Sequence, residues 1–267
     1  EGMRLYLISS IFRRGQIFFR PYGGLFRRAL GAFSHIFVQN DESRALLGRI
    51  GVRCVSVTGD TRFDRVCSIA VRAKRLPEIE RFAAGRPVFV AGSTWPPDEE
   101  LLLGMIDRYR DVKFIVVPHE IDPDRIERLI GRIGRPALRY TQLTPETDSA
   151  EAGVLIVDTI GILSSLYRYG RWGYIGGGFG AGIHNTLEAA VFGLPLAFGP
   201  HYGKFREACD LIESGGAESI ADGAQLLEWF DRLYRNPAAT QRAGEACRTY
   251  VESHRGATRR IVDEICR

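Results

Sequence analysis

The chain has 267 residues, of which 45% are hydrophobic and 25% charged, with a formal net charge of +4 and five cysteines. That length suits one large domain or two modest ones, and a composition at the soluble globular average excludes a disordered chain or a fibrous repeat. Mild basicity suits an anionic partner without naming one. The cysteines (Cys54, Cys67, Cys209, Cys247, Cys266) are scattered, odd in number and without a CxxC pair, which argues against a disulfide framework or a metal cluster and for a reducing cytoplasm.

No apolar run approaches the roughly 18–20 residues that a membrane-spanning helix needs. The opening Leu5-Tyr6-Leu7-Ile8 reads as a strand already under way, so the chain is expected to be part of something longer. Residues 1–66 read as a first unit, with strands at Leu5–Ser9, His35–Gln39 and Val55–Thr58 and a helix near Arg44–Ile50. Before the second strand, Ile11 to Arg28 mixes aromatics with arginines. Two readings stay open there: a face for phosphorylated lipid or an anionic membrane surface, or a helix that buries its aromatics and leaves arginines in water. The polar segment 67–85 reads as a linker.

Residues 86–267 are expected to form a second unit. Its strands are Val88–Ala91, Lys113–Val117, Val154–Val157, Trp172–Gly176 and Leu194–Phe198, with helical spacing over Glu99–Tyr109 and Asp124–Ile133. Two helices, Gln225–Arg235 and Ala238–Cys266, the second broken near Gly256, close the chain. Strands alternating with helices predict an α/β fold with a parallel sheet covered on both faces. Such sheets bind ligands at the carboxyl ends of their strands.

The loops after those strands carry the candidate chemistry. The richest is Gly176-Gly177-Gly178-Phe179-Gly180-Ala181-Gly182-Ile183-His184-Asn185-Thr186-Leu187-Glu188, a glycine loop expected to open a helix near Asn185. Glycines permit close backbone approach, and a helix start offers free N–H groups to phosphate. His184 and Glu188, four residues apart, would then share a face at the helix mouth, the carboxylate for ribose hydroxyls and His184 or Asn185 for phosphate. The plainer reading is a tight turn with Asn185 as a cap. A dinucleotide fingerprint fails, since no acidic residue ends a strand about 20 residues later. Ser93 and Thr94 either donate hydroxyls to phosphate or cap a helix; His119 is a ligand or a surface histidine; Asp158 binds or caps; His201 and Lys204 meet phosphate or face water.

The segments Phe37-Val38-Gln39-Asn40, Val57-Thr58-Gly59-Asp60-Thr61-Arg62-Phe63-Asp64, Gly92-Ser93-Thr94, Asp158-Thr159-Ile160-Gly161, His184-Asn185-Thr186-Leu187-Glu188 and Phe198-Gly199-Pro200-His201 together resemble the 3-deoxy-D-manno-octulosonic acid (Kdo) transferases of lipopolysaccharide assembly. The resemblance implies a GT-B architecture of two Rossmann-like domains with parallel sheets, the N-terminal one incomplete in this chain. It implies CMP-Kdo as donor, a lipid A precursor (lipid IVA) as acceptor, no metal and work at the cytoplasmic face of the inner membrane; no cofactor is expected, and no nucleic acid, since the basic residues are not spread over a recognisable binding motif. Carried over by motif, Ser93, Thr94, His119, His184, Asn185 and Glu188 would line the donor-nucleotide site, with Asp158 and Gly161 beside it. Residues 1–66 would be the remainder of the acceptor domain and 86–267 the donor domain. Two departures touch the nucleotide contacts: Pro118-His119-Glu120 lacks the arginine that many members carry there, and Ile162 stands where many have glutamate. The general base of the family is a glutamate in an early loop without a counterpart here, and the one acid near the start, Glu1, sits in no matching motif. The chain alone is therefore expected to bind donor without turnover. The alternatives are another GT-B nucleotide-sugar enzyme (a UDP-sugar transferase or an epimerase) and a non-catalytic nucleotide-binding module.

Overall fold

The structure is a computed structural model and describes residues 3–266. Glu1, noted above, lies outside the described residues. In chain order the strands are β1 (Tyr6–Ser10), β2 (His35–Val38), β3 (Val55–Val57), β4 (Val88–Thr94), β5 (Lys113–Pro118), β6 (Ala137–Arg139), β7 (Val154–Ile156), β8 (Trp172–Ile175), β9 (Leu196–Phe198) and β10 (Ala217–Ser219). The helices are α1 (Gly24–Leu30), α2 (Asp41–Arg49), α3 (Thr61–Arg72), α4 (Pro77–Ala83), α5 (Pro96–Arg108), α6 (Pro123–Arg132), α7 (Leu163–Leu166), α8 (Leu187–Ala190), α9 (Arg206–Glu213), α10 (Gly223–Tyr234), α11 (Pro237–Ser253) and α12 (Ala257–Ile265). The chain divides into two compact units, residues 1–67 with 252–267, and residues 68–251.

The first unit has a parallel three-stranded sheet in the order β1-β2-β3. Phe12, Leu30, Ile36, Val38, Leu46 and Leu47 form its core. Asn40 starts α2 by accepting the Ser43 N–H at 2.8 Å. The Thr58–Asp64 motif joins the end of the chain to this sheet. Gly59 turns with φ of +91°, Asp64 accepts the N–H groups of Gly256 (2.7 Å) and Thr258 (2.8 Å) at the head of α12, and Arg260 donates back to the Thr58 carbonyl at 2.6 and 3.0 Å. Residues 252–266 group with the first unit, not with the second as the sequence reading has them. Sequence spacing shows where α12 starts and not what receives it.

The second unit has a parallel seven-stranded sheet in the order β10-β9-β8-β4-β5-β7-β6. Buried on both faces, β4, β5, β7, β8 and β9 read as plain apolar runs, which is why spacing alone located them. The edge strands β6 and β10 are three half-buried residues each and carry no such signal. Phe89, Phe114, Trp172, Trp229 and Phe230 anchor the core on one face. The expected linker is corrected: 67–85 holds the end of α3 and all of α4, whose Ile79 and Phe82 are fully buried. Its Pro and charged residues start a helix and face water on the outer side.

Candidate functional site

Strand β4 enters the sheet first in the second unit, with β5 on one side and β8 on the other. The chain runs from β4 to β5 and on to the edge strand β6, turns back to fill the gap with β7, and then crosses to β8 on the other side of β4, so the sheet reverses its order between β4 and β8. A crevice at the carboxyl ends of those two strands is where open α/β sheets take ligands.

The two strand ends meet closely there. Gly176 N–H donates to the Gly92 carbonyl at 2.9 Å, and a Cβ at Gly176 would stand 2.2 Å from the Ser93 carbonyl oxygen. A bulge between Gly92 and Thr94 leaves Ser93 at φ of +54°, a left-handed conformation uncommon for a serine. The glycine loop then folds on itself: the Gly177 carbonyl accepts the N–H groups of Gly180 (3.0 Å) and Gly182 (3.3 Å), with Gly177 at φ of +92°. His201 braces the loop, its backbone N–H on Gly178 O (2.9 Å) and its Nδ1 on Gly180 O (2.7 Å).

Asp98, in the first turn of α5 and fully buried, ties these parts together. Its carboxylate accepts the N–H of Trp95 (2.9 Å), the N–H of Gly177 (2.9 Å) and the Tyr174 hydroxyl (2.6 Å). That pairing and burial drive the Tyr174 hydroxyl well above its ordinary range. Behind it, Glu99 accepts from Thr94 Oγ1 (2.9 Å) and from Arg125 (2.6 Å), and the Thr94 carbonyl holds the His119 N–H at 2.9 Å.

The result is a ladder of three rings at the mouth. Trp95 stacks on His119 at 4.8 Å, His119 stacks on His184 at 4.3 Å, and the Trp95 indole N–H reaches His184 Nε2 at 3.1 Å. A cavity of about 340 Å³ opens between Trp95, Pro97 and His184 on one side and Phe179, Ala181 and the glycines on the other. Burial lowers the affinity of His184 for a proton, the neighbouring His119 adds to this, and Asp98 opposes it.

Of the expected contacts, Ser93, Thr94, His119 and His184 are therefore brought together, although only His184 lines the cavity itself. Asn185 and Glu188 pair with each other at 3.0 Å, and Asn185 Oδ1 takes the Leu187 N–H. The expected helix near Asn185 is corrected to α8, four residues beginning at Leu187. His184 lies in the loop ahead of that helix, so it shares no helix face with Glu188, and one helical turn supplies little dipole. Asp158 is spent elsewhere: its carboxylate accepts from Arg139 Nε (2.9 Å), Thr141 N–H (2.9 Å) and Thr141 Oγ1 (2.6 Å), pinning the edge strand β6 to β7. Burial opposes its charge, and those donors still hold its carboxyl below the usual range. Gly161 is exposed at φ of +89° with nothing near a built Cβ, so the turn alone requires glycine.

Sequence reasoning gave no role to Trp95, Asp98 or Phe179. The signal for Asp98 was present: an acid at the third position of a proline-started helix is a capping-box residue, and here the cap also carries the glycine loop. Among the described residues no group of three or more His, Cys, Asp or Glu is placed to hold a metal ion.

Two parallel α/β units, with a glycine loop and histidines at the reversal point of the larger sheet, match the GT-B fold. In sequence the chain is similar to the Kdo transferases. Residues 1–65 match the family described as 3-deoxy-D-manno-octulosonic-acid transferase (kdotransferase). The 3-deoxy-D-manno-octulosonic acid transferase of Bordetella pertussis is 28% identical over 99% of this chain, which spans 64% of that protein's length. The solved C-terminal CMP-Kdo binding domain of WaaA from Acinetobacter baumannii matches in fold, with a TM-score of 0.58 and 21% identity over 70% of this chain and 98% of the domain. A UDP-N-acetylglucosamine 2-epimerase shares the fold over 98% of this chain and 64% of its own, with a TM-score of 0.64 and 13% identity.

Proposed function

We propose that this chain carries the donor site of a glycosyltransferase that moves Kdo from CMP-Kdo to a lipid A precursor (lipid IVA), with residues 68–251 as the donor domain and residues 3–67 as part of the acceptor domain. The observation that carries the reading is the ring ladder Trp95–His119–His184 over a glycine loop at the reversal point of the sheet. Backbone N–H groups and imidazole N–H groups suit the phosphate of a nucleotide, and the paired Asn185 and Glu188 offer an acceptor for ribose hydroxyls. Ser93, Thr94, His119, His184, Asn185 and Glu188 are the contacts we assign, with Gly161 shaping a neighbouring loop and Asp158 supporting the sheet edge behind it.

The wider setting belongs to the same proposal. In the first unit Tyr22, Leu25 and Phe26 are exposed beside the exposed Arg13, Arg14, Arg20 and Arg28, which suits an anionic membrane surface. Work at the cytoplasmic face of the inner membrane agrees with a lipid acceptor, and among the described residues no helix is long and apolar enough to cross a membrane.

Thermal unfolding with CMP, UMP and AMP tests the donor assignment. A ligand that binds only the folded chain adds about 2.7 kcal/mol at a hundredfold excess over its Kd. The expected outcome is a shift with CMP, little with UMP or AMP, and loss of the CMP shift in Asn185→Ala. A larger shift with UMP would replace the Kdo reading with the UDP-sugar one.

A further inference from the structure

Indole nitrogen only donates. The Trp95 Nε1–H therefore requires an unprotonated Nε2 on His184, 3.1 Å away, and the proton of a neutral His184 must sit on Nδ1. Among the described residues Nδ1 has no hydrogen-bond partner, while the ring lines the 340 Å³ cavity. We infer that Trp95 is a positioning residue that holds His184 as a single neutral tautomer, with Nδ1–H free to donate to an anionic ligand oxygen.

The alternatives for His184 are a cation or a general base, and the geometry disfavours both. A proton on Nε2 would face the Trp95 N–H head-on. The stacked His119 ring, 4.3 Å away, makes a second positive charge costly. Asp98 is the one acid near enough to favour the cation, and its oxygens are taken by Trp95 N–H, Gly177 N–H and Tyr174. Burial at the cavity wall works in the same direction as His119. As base, Nε2 is already occupied. What remains is donation through Nδ1, which is a contact of fixed charge: it neither strengthens with acid nor releases a proton on binding. Its use toward a phosphate rests on the nucleotide reading above; the tautomer itself does not.

Long-range 1H–15N correlation spectra of the whole chain labelled on its five histidines decide the point, with His184→Gln to assign the signal. In the wild type the His184 Nε2 signal is expected in the range of an unprotonated ring nitrogen, and Nδ1 in that of a protonated one, from pH 6 to 8. Trp95→Phe keeps the stack and removes the donor; there the tautomers should mix and the titration midpoint rise by about one pH unit. A wild-type His184 protonated on Nε2, or titrating identically in both proteins, overturns the inference. The wild-type spectrum decides even if the variant fails to fold. Adding CMP to the same sample tests the nucleotide reading separately, because a silent response would count against nucleotide binding and leave the tautomer assigned.

Discussion

Lys113 opens β5 with its side chain fully buried, its ammonium donating to the carbonyls of Ala150 and Ala152 and lying 4.9 Å from the centre of the Phe82 ring. Among the described residues no carboxylate pairs with it directly. Burial, reinforced by Arg86 and Arg135, brings its pKa down to about 8. For a lysine lowered in the fold, the charged form is penalised in full below about 8. Between that value and the unfolded one, near 10.4, the unfolded chain holds the proton that the folded chain has lost. Stability should thus rise with pH across this window, by on the order of 1–3 kcal/mol for the group alone. Denaturant melts at pH 7.5 and 9.5 should show this gain in the wild type and its absence in Lys113→Met; equal slopes would show that the two carbonyls compensate the charge at neutral pH. Nothing in the residue pattern announces this lysine, which reads there as the polar start of a strand. Trp95 was hidden for a related reason. Its role depends on His119 and His184, 24 and 89 positions away, and only the parallel sheet brings those loops to one place.

Helix α12 is held to the first sheet by groups that lie nearly 200 positions earlier. Asp64 caps it through Gly256 and Thr258, and Arg260 returns two hydrogen bonds to the carbonyl of Thr58. The stretch Thr58–Asp64, which carried much of the family resemblance, is thus a clasp for a C-terminal helix rather than a ligand site. Burial works against the charge of Asp64, yet the Thr258 and Gly256 N–H groups, with Arg260, hold its carboxyl below the ordinary range. A carboxylate lowered in this way stabilises above its unfolded pKa of about 4, and that contribution is lost as pH falls through the folded value. Asp64→Asn should cost about 1–3 kcal/mol at pH 7. The penalty should shrink at pH 3, below the unfolded pKa, where the unfolded wild type takes up the proton that the folded carboxylate resists, and a Tm difference that stays constant between the two pH values would refute the clasp. Elements legible from spacing were those with a continuous apolar run, such as β4 or β8. The helix expected at Asn185 was misplaced because Gly177 collects two loop N–H groups, which folds the chain into turns there and delays the first helical turn to Leu187.

Over the molecule as a whole, a net charge of +4 is too small to drive attraction by itself, so the placement of charge decides. Of the two readings of the segment Ile11–Arg28, the core-forming one holds for part of it, and the membrane-surface one is our proposal for the rest. Phe12 is buried, with Phe18 and Phe19 packed edge-on against it at 5.7 and 6.2 Å, which is the core-forming reading. Tyr22 and Leu25, 76% and 74% exposed, stand outside that cluster with Phe26 and with four exposed arginines within sixteen residues of one another. Composition could not separate the halves, since both mix aromatics with arginine; packing against β2 and α2 does. Basic side chains beside an anionic surface contribute about 1 kcal/mol each, and aromatic and leucine side chains settle at the interface. The chain should therefore co-float with vesicles containing phosphatidylglycerol and leave those of pure phosphatidylcholine, with binding weakened by salt. Reversing Arg14 and Arg20 to glutamate should lower the bound fraction at least tenfold, whereas Leu25→Ser should weaken it without changing its salt dependence. Equal binding to neutral and anionic vesicles would remove the electrostatic half of the argument. Binding to neither would mean that the exposed ring and leucine side chains serve another partner, and the membrane surface would have to be withdrawn from the proposed function while the donor site stands on its own test.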